Sequence, residues 1–364
     1  MACPRFKLTP LALYTSLILS GTNAALADCI NDPNSELDNP VINCSDASNE
    51  LFLDIPNTRV VVEDNASVSS SNGDAIFFSS IGELLNFGAI NAGDGEGAAG
   101  VVLASGGRAH NFASGVITSN NGSGVNLDNG GQLLNDGQIE SKYNGVNVAE
   151  AEFIYNTGTI QSHEDNGVYA SGGVQVNNDG GTISGAFRGV ALDNGGEVIN
   201  QSGGTISGDI GVTAYSEVSI NNDGTISGTS TGVDMAYGEL YNAPTGRIEG
   251  GGTGVFATSS QIDNNGGTII GGQDGIVLLG GEVNNNGTIE GTNGGGIVIT
   301  EQLGIVLNNG DITGKWDGIY TESTAVVTNN ANGTISGIEG AGVNMSSLGE
   351  VFNEGVIEGN WAGV

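Results

Sequence analysis

Few residues of this chain combine the types and spacing that catalysis needs. The sequence has two histidines, His110 and His163, and His163 is followed by Glu164 and Asp165, whose carboxylates are suited to orienting an imidazole. The one literal G-x-S-x-G, at 228–232, is part of the internal repeat, and no nucleophile context accompanies the histidines. Because this tract directly precedes Gly167, we interpret it as a solvated turn and predict no catalytic residue.

The sequence also contains no residue pattern typical of a metal site. Asp128-Asn129-Gly130-Gly131 and Asp193-Asn194-Gly195-Gly196 are similar to calcium-binding glycine repeats, but the tandem G-G-x-G-x-D nonapeptide is absent. The three cysteines are too few for a zinc site. The sequence therefore predicts no metal and no cofactor.

Aromatic residues form the most suggestive surface feature. Four of them stand two residues before a repeated Gly-Val or Gly-Ile pair, and Tyr320 lies close to one of the four; the four are Tyr143, Phe187, Trp316 and Trp361. Aromatic faces near carboxylates suit stacking on sugars or packing in a protein interface. These five residues are the candidate ligand-binding residues, and the alternative is that corner aromatics only cover the edge of a neighbouring coil.

Charge limits the choice of partner. The 364 residues include 41 Asp and Glu against 8 Lys and Arg, which gives a formal net charge of −33. Nucleic-acid binding needs clustered basic residues, so no nucleic acid is expected. The basic residues after position 27 are scattered along the chain and form no recognisable site; they are Arg59, Arg108, Lys142, Arg188, Arg247 and Lys315.

An internal repeat must position all of these side chains. A Gly-Val or Gly-Ile pair recurs twelve times between Gly124 and Gly363 at spacings of 21 to 24 residues. An isoleucine, usually after Thr, and an asparagine after an apolar run recur in step with it, as at Ile206 and Asn200. Alternating apolar and polar residues between glycines indicate three short strands per unit.

Three strands in about 22 residues without helical segments favour one architecture. A leucine-rich repeat has a different pattern, and a propeller blade is about twice as long. The sequence predicts an all-β, single-stranded parallel β-helix of about 13 coils over residues 57–364. Like residues should then stack, with isoleucine and valine ladders in the core, asparagines hydrogen-bonded from coil to coil, and glycines adopting positive φ in the corners.

The N-terminal segment has a different character. Residues 1–27 carry Arg5 and Lys7, a short apolar run and an A-x-A tract, which predict a secretory signal peptide. Residues 28–56 are predicted to form an N-terminal cap, in which Cys29 and Cys44 form a disulfide, as an even cysteine count in an oxidising compartment favours.

The repeats resemble the passenger region of bacterial autotransporters over about residues 57–364. The motif N-x-G-T-I-x-G carries the resemblance, for example at 285–291. The family implies a right-handed β-helix that is secreted through the periplasm to the cell surface, and a C-terminal outer-membrane β-barrel. Nothing in this chain resembles that barrel, so we expect a fragment truncated at its C-terminal end.

Such passengers share one architecture across several activities. The expected function is a surface adhesin or rigid scaffold without catalysis, which binds a protein or glycan on a host or neighbouring cell. Two alternatives remain open: a polysaccharide-active β-helix enzyme, either lyase or hydrolase, and a structural stalk that presents a missing domain.

Overall fold

The chain folds into a β-solenoid. The structure is a computed structural model that describes residues 29–32, 35 and 39–364, and the predicted signal peptide lies outside the described residues. The fold is all-β, with about 14 turns of ~22 residues stacked in parallel, which confirms the predicted parallel β-helix. The number of turns exceeds the predicted thirteen because residues 41–53 already form strands that pair in parallel with the next coil. Among the described residues no helix is present that would be long and apolar enough to cross a membrane.

The strands are short and follow one another in a fixed order. They are β1 (Cys29–Asn31), β2 (Val41–Cys44), β3 (Ala47–Ser48), β4 (Leu51–Leu53), β5 (Thr58–Val62), β6 (Ser67–Ser69), β7 (Ile76–Phe78), β8 (Gly82–Asn86), β9 (Ala89–Asn91), β10 (Val101–Leu103), β11 (Gly107–Asn111), β12 (Val116–Ser119), β13 (Val125–Leu127), β14 (Gly131–Asn135), β15 (Gln138–Ser141), β16 (Val146–Val148), β17 (Ala151–Asn156), β18 (Thr159–Ser162), β19 (Val168–Ala170), β20 (Gln175–Asn178), β21 (Thr182–Ser184), β22 (Arg188–Leu192), β23 (Gly196–Asn200), β24 (Thr205–Tyr215), β25 (Val218–Asn222), β26 (Thr225–Ala236), β27 (Glu239–Asn242), β28 (Arg247–Gly250), β29 (Thr253–Asn264), β30 (Thr268–Gly271), β31 (Ile276–Asn285), β32 (Thr288–Gly291), β33 (Ile297–Ile299), β34 (Gly304–Asn308), β35 (Asp311–Gly314), β36 (Ile319–Thr321), β37 (Ala325–Asn329), β38 (Thr334–Gly337), β39 (Val343–Met345), β40 (Gly349–Asn353) and β41 (Val356–Gly359).

Each coil has three sides, which we name after their repeating residues. The asparagine strands end at the repeating Asn, the isoleucine strands contain the repeating Ile, and the Gly-Val strands follow the repeating Gly. In β24 and β26 the isoleucine and Gly-Val strands merge, and in β29 and β31 the Gly-Val and asparagine strands merge. In these merged strands the strand continues through the corner, with a register irregularity between Gly208 and Ile210.

Side chains alternate between the core and the outer surface along most strands, as the pleat requires. Ile206, Ile226 and Ile248 face one another in register on successive coils, and each is completely buried. The valines after the repeating glycines form a second ladder, as at Val190, Val212 and Val233. The predicted isoleucine and valine ladders are therefore confirmed.

The asparagine ladder runs unbroken from Asn86 to Asn353. Each Nδ2 donates to the Oδ1 of the asparagine on the next coil, at 2.7 to 2.9 Å. The ladder begins at Asn86 because Val62 occupies the equivalent position one coil earlier, and this leaves the buried Oδ1 of Asn86 without a donor. The predicted coil-to-coil hydrogen bonding is confirmed.

Positive φ, predicted for glycines in the corners, is found at several of them, but the repeating Gly-Val glycines have another role. Positive φ occurs at other glycines, such as Gly195 and Gly196, and at none of the described Gly-Val glycines. A Cβ added to Gly211 would instead lie 2.5 Å from the Gly232 carbonyl oxygen and 2.6 Å from Cγ2 of Ile226. Glycine is needed there because the next coil approaches too closely for any side chain.

Candidate functional site

The aromatic residues predicted from the sequence share one corner of the solenoid without forming one cluster. Backbone hydrogen bonds stack Trp316, Gly340 and Trp361 on successive coils: Gly340 N–H donates to Trp316 O, and Trp361 N–H donates to Gly340 O, both at 3.0 Å. The two indoles are 48% and 74% exposed. At about 4.8 Å per coil, they are separated along the solenoid axis by roughly 10 Å.

The other two corner aromatics are partly covered by their neighbours. The Lys142 ammonium lies 5.2 Å from the ring centroid of Tyr143, and the Arg188 guanidinium lies 4.0 Å from that of Phe187. A cation within about 6 Å of an aromatic face is attracted to it. One face of each ring is thus engaged within the chain, and Phe187 lies six repeats before Trp316.

The corner borders the outward side of the Gly-Val strands, which we call the Gly-Val face. Its central column places one residue per coil in direct register: Asn147, Tyr169, Ala191, Thr213, Asp234, Phe256, Val277, Val298, Tyr320 and Asn344. Tyr320, the fifth predicted residue, belongs to this column. Earlier coils continue the column with Phe52, Phe77, Val102 and Asn126. From Asn147 onward the column changes from polar to apolar at Phe256, so this stretch of the face has two parts.

The polar part is a cluster of six residues that come from four coils. We call it the Arg188 cluster; it comprises Tyr169, Arg188, Asp193, Thr213, Tyr215 and Asp234. The Tyr169 hydroxyl donates to Asp193 Oδ2 at 2.7 Å, and the Tyr215 hydroxyl donates to Asp234 Oδ2 at 3.0 Å. Both phenols are thereby held against carboxylates.

Burial and charge perturb the titration of these groups. Burial raises the pKa of the Asp234 carboxyl, while the Tyr215 hydroxyl and the Arg188 charge partly offset that rise. The hydrogen bond to Asp193 is the main cause of a raised pKa at Tyr169, and burial is the main cause at Tyr215. The positive charge of Arg188 opposes both tyrosine shifts, so its guanidinium lies close enough to Tyr169, Tyr215 and Asp234 to interact with them electrostatically.

Two polar atoms of the cluster are buried without a hydrogen-bond partner, Arg188 Nε and Thr213 Oγ1. Thr213 is only 2% exposed although it stands in the outward column. Among the described residues no carboxylate lies within 4.0 Å of the Arg188 guanidinium. Unsatisfied buried donors are costly in proteins, so this arrangement calls for an explanation.

Asp234 gives the stability of the chain a testable pH dependence. Because its pKa is raised in the folded state, the folded chain binds this proton more tightly than the unfolded chain does. The charged carboxylate therefore opposes folding at pH 7, and this cost disappears as the pH falls through the folded pKa. We expect Asp234→Asn to have a higher melting temperature than the wild type at pH 7 and a smaller difference near pH 4, measured by circular dichroism.

Glu239 provides the control, since it is an exposed carboxylate on an asparagine strand. Glu239→Gln removes one negative charge without removing a buried group. A melting-temperature difference for Asp234→Asn that is identical at both pH values would contradict the burial of its charge.

The apolar part of the face lies on the next coils. Phe256, Val277, Val298 and Tyr320 stand in register, and all four are half-buried; we call them the apolar stripe. The stripe is about 14 Å long, at three coil spacings of about 4.8 Å. Trp316 precedes Tyr320 by four residues and stands at the corner beside the stripe.

A furrow follows the corner between the Gly-Val and asparagine strands. It has a volume of about 720 Å³ and is lined by Tyr237, Leu303 and three carboxylates, those of Glu217, Glu239 and Glu282, among other residues. Paired carboxylates are the groups that glycoside hydrolysis requires. This furrow is thus where a polysaccharide-active enzyme of this fold would place its chemistry.

The histidines have partners other than those the sequence suggested. His163 Nε2 lies 2.7 Å from Glu140 Oε1 on the preceding coil, and His110 Nε2 lies 2.7 Å from Asp136 Oδ2 on the following one. His110 also stacks on Phe112, which in turn stacks on Phe87. Within the described part of the chain, no group of three or more His, Cys, Asp and Glu residues is placed to hold a metal ion.

The cysteines lie at the N-terminal edge of the solenoid. β1 pairs with β2 in the antiparallel direction, and Cys29 stands opposite Cys44. Their sulfurs form a disulfide. The bridge ties β1 to the first coil, since β2 continues in parallel pairing with β5.

Sequence reasoning missed the Arg188 cluster. Arg188 was noted only as one of several scattered basic residues, and Asp234 was not noted at all. The available signal was an arginine directly before a repeating Gly-Val in a strongly acidic chain. Tyr169 and Tyr215 lie one coil from Arg188 and Asp234 lies two coils away, and only the register of the coils brings them together.

The comparisons with known proteins assign no family to this chain. No protein-family model, curated protein sequence or solved structure matches the chain.

Proposed function

We propose that this chain is a surface-exposed passenger region of the bacterial autotransporter type, and that it acts as an adhesin whose Gly-Val face binds a ligand on a host or neighbouring cell. The repeat motif supports the class of protein, and the Gly-Val face supports the activity. One observation carries the second point: a polar cluster with unpartnered buried atoms and an apolar stripe are aligned on one side of a solenoid.

The solenoid is a suitable support for such a face. Every strand from β2 to β41 is fixed by parallel pairing, and the asparagine ladder runs through twelve of the coil contacts. Outward residues therefore repeat at an almost constant spacing of about 4.8 Å. A rigid, pre-organised surface loses little conformational entropy on binding.

The residue types of the Gly-Val face are more typical of a binding surface than of the surface of a structural stalk. Interfaces favour aromatic residues and arginine over lysine and glutamate. The Gly-Val face and its corner provide Tyr169, Arg188, Phe256, Trp316 and Tyr320 within a chain that carries 41 acidic residues.

A charge placed in the apolar stripe tests the proposal. Val298→Asp puts a carboxylate at a half-buried position between Val277 and Tyr320. We expect at least a roughly tenfold weaker binding of the purified chain to cultured epithelial or bacterial cells, because the charge must be desolvated in the complex. Binding would be followed by flow cytometry with labelled protein.

Thr288→Asp is the matched control, because Thr288 faces outward from an isoleucine strand of the same region. It should bind like the wild type. Trp316→Ala tests the corner aromatic separately. Wild-type binding by both Val298→Asp and Trp316→Ala would contradict an adhesive Gly-Val face and leave the structural stalk as the better explanation.

The carboxylate-lined furrow supports one alternative, a polysaccharide-active enzyme. That alternative requires release of reducing or unsaturated sugar ends from polysaccharide by the purified chain, and loss of this release in Glu239→Gln. Activity of that kind would replace the adhesin proposal, which includes no catalysis.

A further inference from the structure

Among the basic residues that the structure describes, Arg188 alone has a buried side-chain nitrogen without a hydrogen-bond partner. Arg59 pairs with Glu83 at 2.6 Å, and Arg247 pairs with Glu249. Arg188 lies over the Phe187 ring and has no carboxylate of the described residues within 4.0 Å, although Asp193 and Asp234 are members of its cluster. The two carboxylates are engaged instead by the tyrosine hydroxyls.

A purely structural role does not account for this geometry. An arginine that only packs over an aromatic ring keeps its polar atoms in water or pairs them. Here Nε is shielded from solvent and donates to nothing, and the Thr213 hydroxyl in the same cluster is equally shielded and unpartnered. Both groups therefore lack a partner that a ligand with its own hydrogen-bonding atoms would supply once the side chains covering them rotate away.

We propose that the Arg188 cluster binds the carboxylate of an acidic sugar residue in a glycan. The guanidinium fork matches a carboxylate in two parallel hydrogen bonds. The Thr213 hydroxyl supplies a further donor, and the oxygens of Asp193 and Asp234 accept from the sugar hydroxyls. Tyr169 and Tyr215 provide aromatic faces for the sugar ring.

The overall charge favours a glycan over an acidic peptide. With a net charge of −33, the chain repels ligands that carry several negative charges. A glycan end with a single carboxylate places that charge on the guanidinium and presents otherwise neutral hydroxyl groups. An acidic peptide would bring more carboxylates than the cluster has cations.

This inference rests on the proposed function, because it names the ligand class for one part of the Gly-Val face. The test titrates the full chain with N-acetylneuraminic acid and with glucuronate by isothermal calorimetry. Glucuronic acid methyl ester, acetate and a glutamate-rich peptide serve as comparison ligands. We expect at least one acidic sugar to bind, and the ester, acetate and the peptide to bind at least tenfold more weakly.

Variants locate the site. Arg188→Gln should weaken binding of the acidic sugar at least tenfold, and Arg188→Lys should retain part of it because it keeps the charge without the fork. Thr213→Val keeps the shape of a buried residue and should weaken binding severalfold. Arg247→Gln, which removes an arginine from another side of the solenoid, should bind like the wild type. Melting temperatures verify that each variant is folded.

The outcomes separate the two proposals. Equal binding of acid and ester, tighter binding of the peptide, or unchanged affinity in both Arg188→Gln and Thr213→Val would overturn the acidic-sugar site. If such a result occurs while Val298→Asp still abolishes cell binding, the adhesin proposal stands without this ligand. Absence of cell binding by the wild-type chain would overturn the adhesin proposal itself.

Discussion

Asn200→Ala is expected to lower the free energy of unfolding by about 3 to 4 kcal/mol, the scale of a lost buried hydrogen-bond network. Asn200 is completely buried, and its Nδ2 donates to Asn222 Oδ1 at 2.9 Å and to the carbonyl oxygens of Gly204 and Thr225. Its own Oδ1 accepts from Asn178. Alanine removes all four bonds and leaves Asn222 Oδ1 without a donor. Chemical denaturation monitored by circular dichroism measures the loss.

Asn221→Ala provides a control of the same residue type in a neighbouring strand. Asn221 is half-buried on the outer surface, with side-chain contacts to Glu197 and Ser219 at 3.3 and 3.4 Å. Its replacement should cost less than about 1 kcal/mol, because water can replace those contacts. If Asn200→Ala and Asn221→Ala lowered the free energy of unfolding equally, the buried ladder would stabilise the fold no more than a surface asparagine does.

Asn200→Asp separates hydrogen bonding from shape. The carboxylate has nearly the same outline as the amide but cannot donate to Asn222, Gly204 and Thr225. Burial disfavours the charged form, so its pKa should be raised in the folded state. We expect the variant to be strongly destabilised at pH 7 and to regain part of its stability on acidification, as linkage requires.

Ile226→Ala is expected to cost about 3 to 4 kcal/mol in unfolding free energy, the usual range for a large-to-small change in a rigid core. Ile226 is completely buried between Ile206 and Ile248, and its Cγ2 occupies the space left open by Gly211. Stacked coils fixed by backbone hydrogen bonds cannot collapse around the resulting cavity. Equilibrium denaturation again gives the value, and hydrogen exchange reports whether the loss is local to these coils.

Graded variants check the packing argument. Ile226→Val should cost about 0.5 to 1.5 kcal/mol, and Ser227→Ala, on the outer surface of the same strand, less than about 0.5 kcal/mol. Gly211→Ala should be less harmful in the Ile226→Ala background than in the wild type, because Cγ2 is then absent. The Gly232 carbonyl oxygen remains in the way, so the rescue should be partial. If the losses of unfolding free energy in Gly211→Ala and Ile226→Ala simply added in the double variant, the contact between Gly211 and Ile226 would be contradicted.

The fold was predictable because the repeat constrains the core residue by residue. Each coil stacks on a copy of itself, so the isoleucine, valine and asparagine positions must be the same in nearly every unit. A period of about 22 residues and three alternating strands leave one architecture. The merged strands β24, β26, β29 and β31 were not predicted, since they depend on how individual corners pack.

The function of the repeating glycines illustrates the limit of local reasoning. From the sequence, glycine suggested positive φ, and this holds for glycines such as Gly195 and Gly196. At Gly211 the backbone is ordinary, and the reason for glycine lies in the next coil, whose Ile226 methyl and Gly232 carbonyl fill the space. A contact between coils has no local signature within one unit.

By itself the sequence determined the solenoid, its ladders and the corner position of Tyr143, Phe187, Trp316 and Trp361, because core and corner residues recur with the period. Only the tertiary structure decided which outward residues meet. Outward positions vary from coil to coil. Arg188 and Asp234, 46 residues apart in sequence, belong to one cluster because parallel register places their coils two apart. The candidate site is therefore a property of the stacked coils, and no single repeat contains it.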